Sequence, residues 1–261
     1  MKELTDNKSL IIGASSQLSR YMSPNIVRVS ARNIPNFVWE NVWENVYILF
    51  AEQRTSFSKM EYYKSDFYDV NYALTKQIFE KISCQNFVFL STTELWNQCS
   101  GSISIETPFN FSQNYYTDSK LKITNYLLSE GDKVKIFYPF NFNSKFRKDT
   151  FLYKKIYESI LNKKKISVGN LDFSREIMHA KFVANQIEIN KKSDIIGTGN
   201  IINIEKFFKD LYTLKRLDFE FFVEQNKNLV NNKNIFWKSV VDNKIYSYND
   251  LLNDTLEDFD D

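Results

Sequence analysis

Short apolar segments that alternate with helical patterns are the feature that most constrains how this chain folds. The apolar segments, each predicted to form a strand, span residues 9–13, 26–30, 45–51, 86–91 and 133–141. Apolar residues at helical spacing predict a crossover helix over 69–82 and another helix over 116–130. Because no hairpin signal joins the strands, the alternation predicts an α/β fold with a doubly wound parallel sheet that helices cover on both faces.

The composition is that of a globular protein with one large domain, or with a nucleotide-binding domain and a small addition. Of the 261 residues, 43% are hydrophobic and 25% are charged, and 34 basic residues nearly balance 32 acidic ones. The basic run at 162–165 is isolated, so we interpret it as a solvated helix end. We therefore expect no nucleic-acid partner.

Membrane and metal functions are not expected either. No stretch approaches the ~18 apolar residues of a membrane helix, and residues 1–6 carry no apolar signal segment. We expect a cytoplasmic protein without a membrane partner. Two cysteines, Cys84 and Cys99, do not make a disulfide framework, and His179 is the only histidine, so no metal site is predicted.

Gly13 ends the first apolar segment and opens a tight turn. A strand, a tight turn and a helix start at Ser16, Gln17 and Leu18 place backbone N–H groups where they can bind a pyrophosphate. The pattern G-x-x-G-x-x-G keeps only its first glycine, since Ser16 and Ser19 occupy the other two positions. Serine is small enough for such a turn, and an ordinary strand-to-helix turn is the alternative.

The ends of the next two strands carry further candidate cofactor contacts. The second strand is followed by Arg32, where a dinucleotide site faces the adenosine ribose; a cation there pairs with a 2′-phosphate and favours NADP over NAD. A surface arginine at a strand end is the alternative. The third strand ends at Ala51, a small residue past which a cofactor can lie close to the backbone.

A tyrosine and a lysine four residues apart open the helix that follows the strand ending in Ser91 and Thr92. Tyr116 and Lys120 therefore lie on one helix face. The lysine ammonium favours the phenolate and lowers the tyrosine pKa, which suits proton transfer. A helix-surface pair is the alternative. Tyr115 projects about 100° away and is ranked below Tyr116.

Together these motifs resemble the extended short-chain dehydrogenase/reductase family of nucleotide-sugar epimerases, dehydratases and ketoreductases. The resemblance rests on the order and spacing of the Gly13 turn, Val70-Asn71, Ser91-Thr92, Tyr116-x-x-Ser119-Lys120, Pro139-Phe140-Asn141, and Val168-Gly169 leading to residues 174–179. The chain departs from the family in its eroded glycine turn and in Tyr138, where many members have arginine.

The resemblance implies a Rossmann-like sheet with a small C-terminal substrate-binding region, a nicotinamide cofactor and a homodimer. Tyr116 is the implied proton donor, Lys120 tunes it and binds the nicotinamide ribose, and Thr92 polarises the substrate carbonyl. Pro139 lies beside the cofactor in this scheme. The implied partner is a nucleotide-diphosphate sugar.

Four residues are implied to bind that substrate: Asn141 and Arg175 at the diphosphate, and Thr93 and Glu94 at the sugar. Dehydratases of this family carry Thr-Asp-Glu where this chain has Thr92-Thr93-Glu94, so the paired acid and base are lost. We therefore expect an NADPH-dependent ketoreductase acting on a 4-keto-6-deoxy nucleotide sugar, in the synthesis of surface polysaccharide. An epimerase using the same triad and a catalytically silent dinucleotide-binding relative are the alternatives.

The expected dinucleotide-binding domain spans residues 1–145, with 176–205 returning to it. Residues 146–175 and 206–261 form the expected substrate-binding region. Residues 176–189 are predicted to be an apolar helix that gives His179 a structural role, residues 201–204 should return to the sheet, and the acidic tail at 256–261 is predicted to be a solvated terminus.

Overall fold

A computed structural model of the chain describes residues 8–36, 39–53, 61–226, 237–240 and 245–260. The N-terminal residues 1–6, parts of the predicted substrate region beyond residue 226 and the terminal Asp261 lie outside the described residues.

The described residues form fourteen strands and eight α-helices. The strands are β1 (Ser9–Ile12), β2 (Val27–Val29), β3 (Val42–Ile48), β4 (Ser83–Leu90), β5 (Gly101–Ile103), β6 (Val134–Pro139), β7 (Asn141–Asn143), β8 (Ile166–Gly169), β9 (Ser174–Arg175), β10 (Ile177–His179), β11 (Asp194–Ile196), β12 (Ile202–Asn203), β13 (Val223–Asn226) and β14 (Trp237–Ser239). The helices are α1 (Lys64–Phe67), α2 (Thr75–Lys81), α3 (Tyr115–Leu128), α4 (Leu152–Asn162), α5 (Ala180–Ile189), α6 (Ile204–Leu214), α7 (Phe219–Phe222) and α8 (Tyr248–Glu257).

The chain divides into two compact units. The first comprises residues 1–98, 108–139 and 184–195, and the second comprises residues 99–107, 140–183 and 196–261. These bounds differ from the expected domain limits at residues 99–107, 140–145, 176–183 and 196–205, which cluster with the second unit.

A six-stranded sheet in the order β11-β6-β4-β3-β1-β2 organises the first unit. The pairs β2-β1, β1-β3, β3-β4 and β4-β6 are all parallel, as the alternation of strands and helices predicted. All four residues of β1 are buried, which is typical of a parallel strand covered on both faces. Strands β2 and β3 lie on opposite sides of β1. The order in which strands are added to the sheet therefore reverses at β1, and its carboxyl end is the point of reversal.

The crossover helix predicted over 69–82 is present but longer. It runs from α1 through a π-helical stretch, Tyr68–Leu74, into α2. A π-helical stretch changes the direction of the side chains within one helix and often marks a functional position. The buried Asn71 lies in this stretch.

Strand β3 ends at Ile48, three residues before the end predicted from the apolar run. Its last ladder contact is the N–H of Leu49, which donates to the carbonyl of Ile12 at 2.9 Å. Beyond that point Gly13 turns β1 away, so residues 49–51 do not continue the ladder with it. Ala51 is therefore an exposed loop residue.

Four two-stranded sheets belong to the second unit: β10-β7, β12-β9, β13-β8 and β14-β5. Two predictions are wrong here. Residues 177–179 form a strand instead of the first turn of a helix, because their backbone pairs with β7. Residues 202–203 pair with β9 instead of returning to the central sheet, whose edge β11 already occupies.

Candidate active site

The Gly13 turn lies where β1 and β3 end side by side. Gly13 has φ +119°, a backbone conformation that favours glycine, and a Cβ added to it would meet the backbone carbon of Leu49 at 2.9 Å. Only glycine therefore lets these strand ends approach so closely. Parallel α/β sheets bind ligands at this kind of reversal, so the turn satisfies a geometric requirement of a dinucleotide site.

Most N–H groups of the turn already have partners within it. The Gly13 and Ala14 N–H groups donate to the carbonyl of Val29, and the Ser16 N–H donates to the carbonyl of Gly13. The N–H of Leu18 donates to Ser16 Oγ at 3.3 Å. These bonds hold the turn in shape and leave fewer donors for a phosphate.

The helix predicted after this turn is wrong beyond its first turn. Residues 13–26 are described throughout, and they contain one three-residue 3-10 helix, Leu18–Arg20, preceded by the buried Gln17. The dipole of a full helix would stabilise a phosphate at its N-terminus, and a single 3-10 turn has only a small dipole.

Ser19, at the third position of the glycine pattern, is unfavourable for stability. Ser19 is fully buried, and its Oγ has no hydrogen-bond partner among the described residues. A buried hydroxyl without a partner destabilises a fold.

Arg32 is exposed and lies in a 3-10 helix, Ala31–Asn36, that follows β2. Its N–H donates to Ser30 Oγ at 3.3 Å. Arg32 is thus an exposed residue after the edge strand, and its pairing with a 2′-phosphate stays a prediction.

The start of α3 is fixed by its own sequence. Asn114 caps the helix: its side chain accepts from the N–H groups of Tyr116 and Thr117, while Thr117 Oγ1 accepts from the Asn114 N–H. Such a capping box satisfies donors that a helix start leaves open. The half-buried ring of Tyr116 packs edge-on against Phe67, with 6.4 Å between ring centroids.

Lys120 is buried, with 2% of its surface exposed. Its ammonium donates to the carbonyl of Leu90 at 2.8 Å and lies 4.7 Å from the ring centroid of Phe89. Burial without a carboxylate partner lowers the pKa of Lys120 to about 7. A lysine has three donors, and Leu90 is the one acceptor it meets in the described part of the chain. Two N–H groups thus remain for a ligand hydroxyl.

Thr92 lies directly beyond β4, the strand whose last carbonyl binds Lys120. Its Oγ1 accepts from the N–H of Glu94 at 3.2 Å and caps a 3-10 helix, Thr93–Trp96. No acceptor for the hydroxyl hydrogen occurs among the described residues. The hydroxyl is held in place and can still donate to a substrate carbonyl. One helical turn beyond Lys120, Thr124 bonds Ser91 at 2.9 Å and fastens α3 to the same strand end.

Thr93 and Glu94 differ in their surroundings. Thr93 is buried and its hydroxyl donates to the carbonyl of Pro139 at 3.2 Å, which joins the ends of β4 and β6. Glu94 is half-buried, and its Oε2 accepts from Asn97 Nδ2 at 3.3 Å. The hydroxyl that replaces the dehydratase aspartate therefore has a structural partner.

Asn71 ties three segments of this region together, a role that the Val70-Asn71 motif does not reveal. Its Oδ1 accepts from the N–H of Glu52 at 2.8 Å and its Nδ2 donates to the Glu52 carbonyl. The same Nδ2 donates to Ser119 Oγ, which in turn donates to the carbonyl of Tyr116. The crossover helix thus fixes the first turn of α3.

Two predicted substrate residues belong to the second unit. Asn141 is exposed on β7, paired with Ile177. Arg175 is half-buried on β9, with its guanidinium 4.8 Å from the ring centroid of Phe173 and Nη1 donating to the carbonyl of Ser174. The aromatic ring and the carbonyl restrict the position of this guanidinium.

The neighbouring Glu176 is a residue that the sequence analysis missed. Its fully buried carboxylate accepts from the N–H groups of Thr198, Gly199 and Ser239 and from the Ser239 hydroxyl. A Cβ on Gly197 would overlap Glu176 Oε1. Glu176 therefore organises the backbone beside Arg175, and a glycine at 197 is required for it.

The prediction that the acidic tail is a solvated terminus is wrong. Asp258 is 3% exposed; its Oδ2 lies 3.0 Å from His179 Nε2 and accepts from the N–H of Lys145 at 2.6 Å. Phe259 stacks on Tyr157, whose hydroxyl donates to the Asp258 carbonyl. The structure thus gives the buried His179 a partner that anchors the tail.

The described residues carry neither a membrane-spanning helix nor a cluster of metal ligands. None of the helices there has the length and apolar character needed to cross a bilayer. Within the same ranges no group of three or more His, Cys, Asp or Glu side chains is arranged to hold a metal ion. Cys84 and Cys99 are free thiols.

The described residues form a Rossmann-like α/β protein. The Thr92 hydroxyl lies just beyond β4, Tyr116 and Lys120 lie on α3, and Lys120 binds the last carbonyl of β4. Solved structures of nucleotide-sugar enzymes share this fold. A UDP-N-acetylglucosamine 4-epimerase from Methanobrevibacter ruminantium, in complex with UDP-N-acetylmuramic acid, has a TM-score of 0.79 at 13% identity, over 98% of this chain and 99% of that one.

Two further neighbours are structures in complex with a nicotinamide dinucleotide. RMD from Pseudomonas aeruginosa, complexed with NADPH, has a TM-score of 0.75 at 15% identity, over 97% of this chain and 99% of its own. A dTDP-glucose 4,6-dehydratase from Bacillus anthracis, in complex with NAD, has a TM-score of 0.73 at 14% identity, over 97% of this chain and 96% of its own. No family model and no curated protein matches the sequence.

The comparisons confirm the fold that the resemblance implied. The similar structures include a 4-epimerase, a 4,6-dehydratase in complex with NAD and a protein complexed with NADPH, and the likeness extends over nearly the whole of each chain. At 13–15% identity the shared property is the fold, and the reaction has to be argued from the residues of this chain.

Proposed function

We propose that this protein is an NADPH-dependent reductase of a 4-keto-6-deoxy nucleotide sugar. The observation that carries the proposal is the arrangement at the end of β4, where a buried Lys120, the hydroxyl of Thr92 and the start of the Tyr116 helix are fastened together. A ketone reduction requires a proton donor and a group that polarises the carbonyl, and these side chains are suited to both.

The residues fit a nicotinamide cofactor at two places. Gly13 forms the tight turn where the sheet reverses its strand order, and the two uncommitted donors of Lys120 suit ribose hydroxyls. When bound, the cofactor supplies the hydride. Lys120 holds the ribose and favours the Tyr116 phenolate, Tyr116 gives the proton to the carbonyl oxygen, and Thr92 donates a hydrogen bond to that oxygen. Exposed Arg32 supports NADPH over NADH.

Reduction is favoured over dehydration by Thr93. A dehydratase of this kind needs a carboxylic acid at that position, and here a hydroxyl donates to the Pro139 carbonyl. Glu94 alone leaves one acidic group without its partner. Reduction needs neither residue, since Thr92, Tyr116 and Lys120 suffice.

The substrate is proposed to be held at its diphosphate by Asn141 and Arg175. A guanidinium restricted by a ring and a carbonyl loses little freedom when it pairs with phosphate oxygens. Thr93 and Glu94 remain the proposed residues near the sugar. The homodimer, the cytoplasmic location and the polysaccharide pathway stay predictions.

A catalytically silent dinucleotide-binding relative is the second candidate. It is favoured by the single 3-10 turn after Gly13, because the phosphate site has neither the full helix nor the usual glycines. An epimerase with the same triad also remains, since transient oxidation uses the same groups.

Ligand-induced change in melting temperature tests the proposal. Purified protein is heated with NADPH, NADP, NADH or NAD, and we expect the largest stabilisation with the phosphorylated cofactors. Arg32→Ala should remove that preference. Absence of a shift with all four dinucleotides contradicts both enzymatic readings, and a shift without turnover of any keto sugar favours the silent relative.

A further inference from the structure

The first crossover of the sheet is stabilised by one side chain, Arg28, in place of a helix. Arg28 lies in the middle of β2, paired with Ile11 of β1. Its guanidinium makes six hydrogen bonds to five backbone carbonyls. The acceptors are Ser19 (3.2 and 3.1 Å), Met22 (2.9 Å), Ser23 (2.8 Å), Pro24 (3.3 Å) and Ile26 (2.7 Å).

In a crossover helix these carbonyls would accept hydrogen bonds from the helix's own N–H groups. In an α-helix each of them accepts from an N–H four residues later. Residues 21–26 form no such ladder. The Ser23 carbonyl accepts the N–H of Ile26 at 3.3 Å, three residues later, and Arg28 donates to it as well. A guanidinium carries five N–H donors in a fixed fork and no acceptor, which matches a convergent set of carbonyls.

The same strand holds the other end of the turn. Val29, the residue after Arg28, accepts the N–H groups of Gly13 at 2.9 Å and Ala14 at 3.2 Å through its carbonyl. Two consecutive residues of β2 therefore fix residues 13–26 at both ends. A segment fixed in this way needs no ordering when it binds a ligand.

We propose that Arg28 is a positioning residue for the cofactor: it replaces the missing crossover helix in shaping the turn that receives the pyrophosphate. This inference rests on the proposed function. Arg28 does not touch the cofactor in this scheme. It keeps the carbonyls of residues 19–26 turned toward β2, and so keeps the Gly13–Ser16 backbone in its binding shape.

Three variants test the role of Arg28. Arg28→Met removes all the donors, Arg28→Lys keeps the charge with a single ammonium, and Arg20→Met removes a charge from the same turn without touching the five carbonyls. NADPH affinity is measured by calorimetry, steady-state kinetics give kcat and both KM values, and amide hydrogen exchange of residues 13–26 is followed without ligand.

We expect Arg28→Met to weaken NADPH binding about tenfold or more, the equivalent of ordering a residue of backbone on binding. The KM for NADPH should rise while kcat at saturating NADPH and the KM for the sugar stay near wild type. Arg28→Lys should restore little of the affinity, and Arg20→Met should bind normally. Exchange of residues 13–26 should accelerate in both Arg28 variants.

Wild-type NADPH affinity in Arg28→Met, or a loss no larger than that of Arg20→Met, would overturn the inference. If Arg28→Met does not fold, normal affinity and exchange in Arg28→Lys would overturn it equally. If the wild-type protein binds no dinucleotide, the proposed function fails and the cofactor role of Arg28 fails with it. In that case faster amide hydrogen exchange of residues 13–26 in the Arg28 variants shows that Arg28 only stabilises this segment.

Discussion

Replacing Lys120 by methionine should stabilise the protein and abolish its activity, and the gain in stability should depend on pH. Lys120 is buried against Phe89, with one carbonyl as its hydrogen-bond partner in the described residues. Methionine has a similar apolar length, so it fills the same space without a charge.

The size of the effect follows from the pKa of Lys120, which burial lowers from 10.5 to about 7. Between these values the folded protein binds fewer protons than the unfolded chain, so the free energy of unfolding rises with pH. The cost of burying this amine is about 5 kcal/mol at pH 6 and about 2 kcal/mol at pH 9, on the basis of about 1.4 kcal/mol for each pKa unit. Losing the bond to the Leu90 carbonyl offsets about 1–2 kcal/mol of the gain.

Urea unfolding of wild type and Lys120→Met at the two pH values measures this directly. We expect the variant to be more stable at pH 6, with a difference that shrinks by about 2–3 kcal/mol at pH 9. Other titrating groups contribute equally to the free energy of unfolding of both proteins, so their contributions cancel in the difference. Lys122→Met, on the exposed face of the same helix, should produce no comparable pH dependence. A stability difference between Lys120→Met and wild type that is equal at both pH values would refute the assignment of a buried, uncompensated amine.

Three further substitutions give distinct outcomes. Tyr116→Phe should abolish turnover while NADPH still binds, and Tyr115→Phe should leave turnover intact; turnover by the Tyr116 variant contradicts its role as proton donor. Ser19→Ala removes a buried hydroxyl without a partner, so thermal unfolding should reveal a gain of about 1 kcal/mol, and a loss would contradict that description. Gly197→Ala would overlap the buried Glu176 carboxylate and should cost about 3 kcal/mol or more, whereas Gly131→Ala, with φ +87° and open space, should cost about 1 kcal/mol.

The elements that the sequence predicted well are specified by nearby residues. Strand β6 lies within the predicted segment 133–141 and ends at Pro139, which lacks a backbone donor. Helix α3 begins at Tyr115 because Asn114 and Thr117 form its capping box, a signal carried by four consecutive residues. Local chemistry of this kind can be read without knowledge of the fold.

Errors arose where distant partners decide the structure. Residues 177–179 are apolar and periodicity cannot tell a short strand from a helix start, so their pairing with β7 decided the outcome. Nothing in the acidic tail indicates that Asp258 meets His179, because the two are 79 positions apart. The shortened crossover after Gly13 was missed for the same reason, since its stability comes from Arg28.

The candidate site divides in a similar way. Tyr116 and Lys120 were chosen from their spacing and Thr92 from the family resemblance. Helix α3, which carries the first two, is bonded to the end of β4 next to Thr92. The hydrogen bonds of Asn71 and of the Glu176 carboxylate depend on backbone groups from other segments. Their side chains alone gave no signal for those contacts.

Oxidation of NADPH in the presence of a panel of 4-keto-6-deoxy nucleotide sugars tests the central claim most directly. The account predicts consumption of one NADPH for each sugar reduced with at least one member of the panel, and no consumption by Tyr116→Phe. Conversion of a sugar to its epimer, or to a dehydrated product, without net loss of NADPH would contradict it.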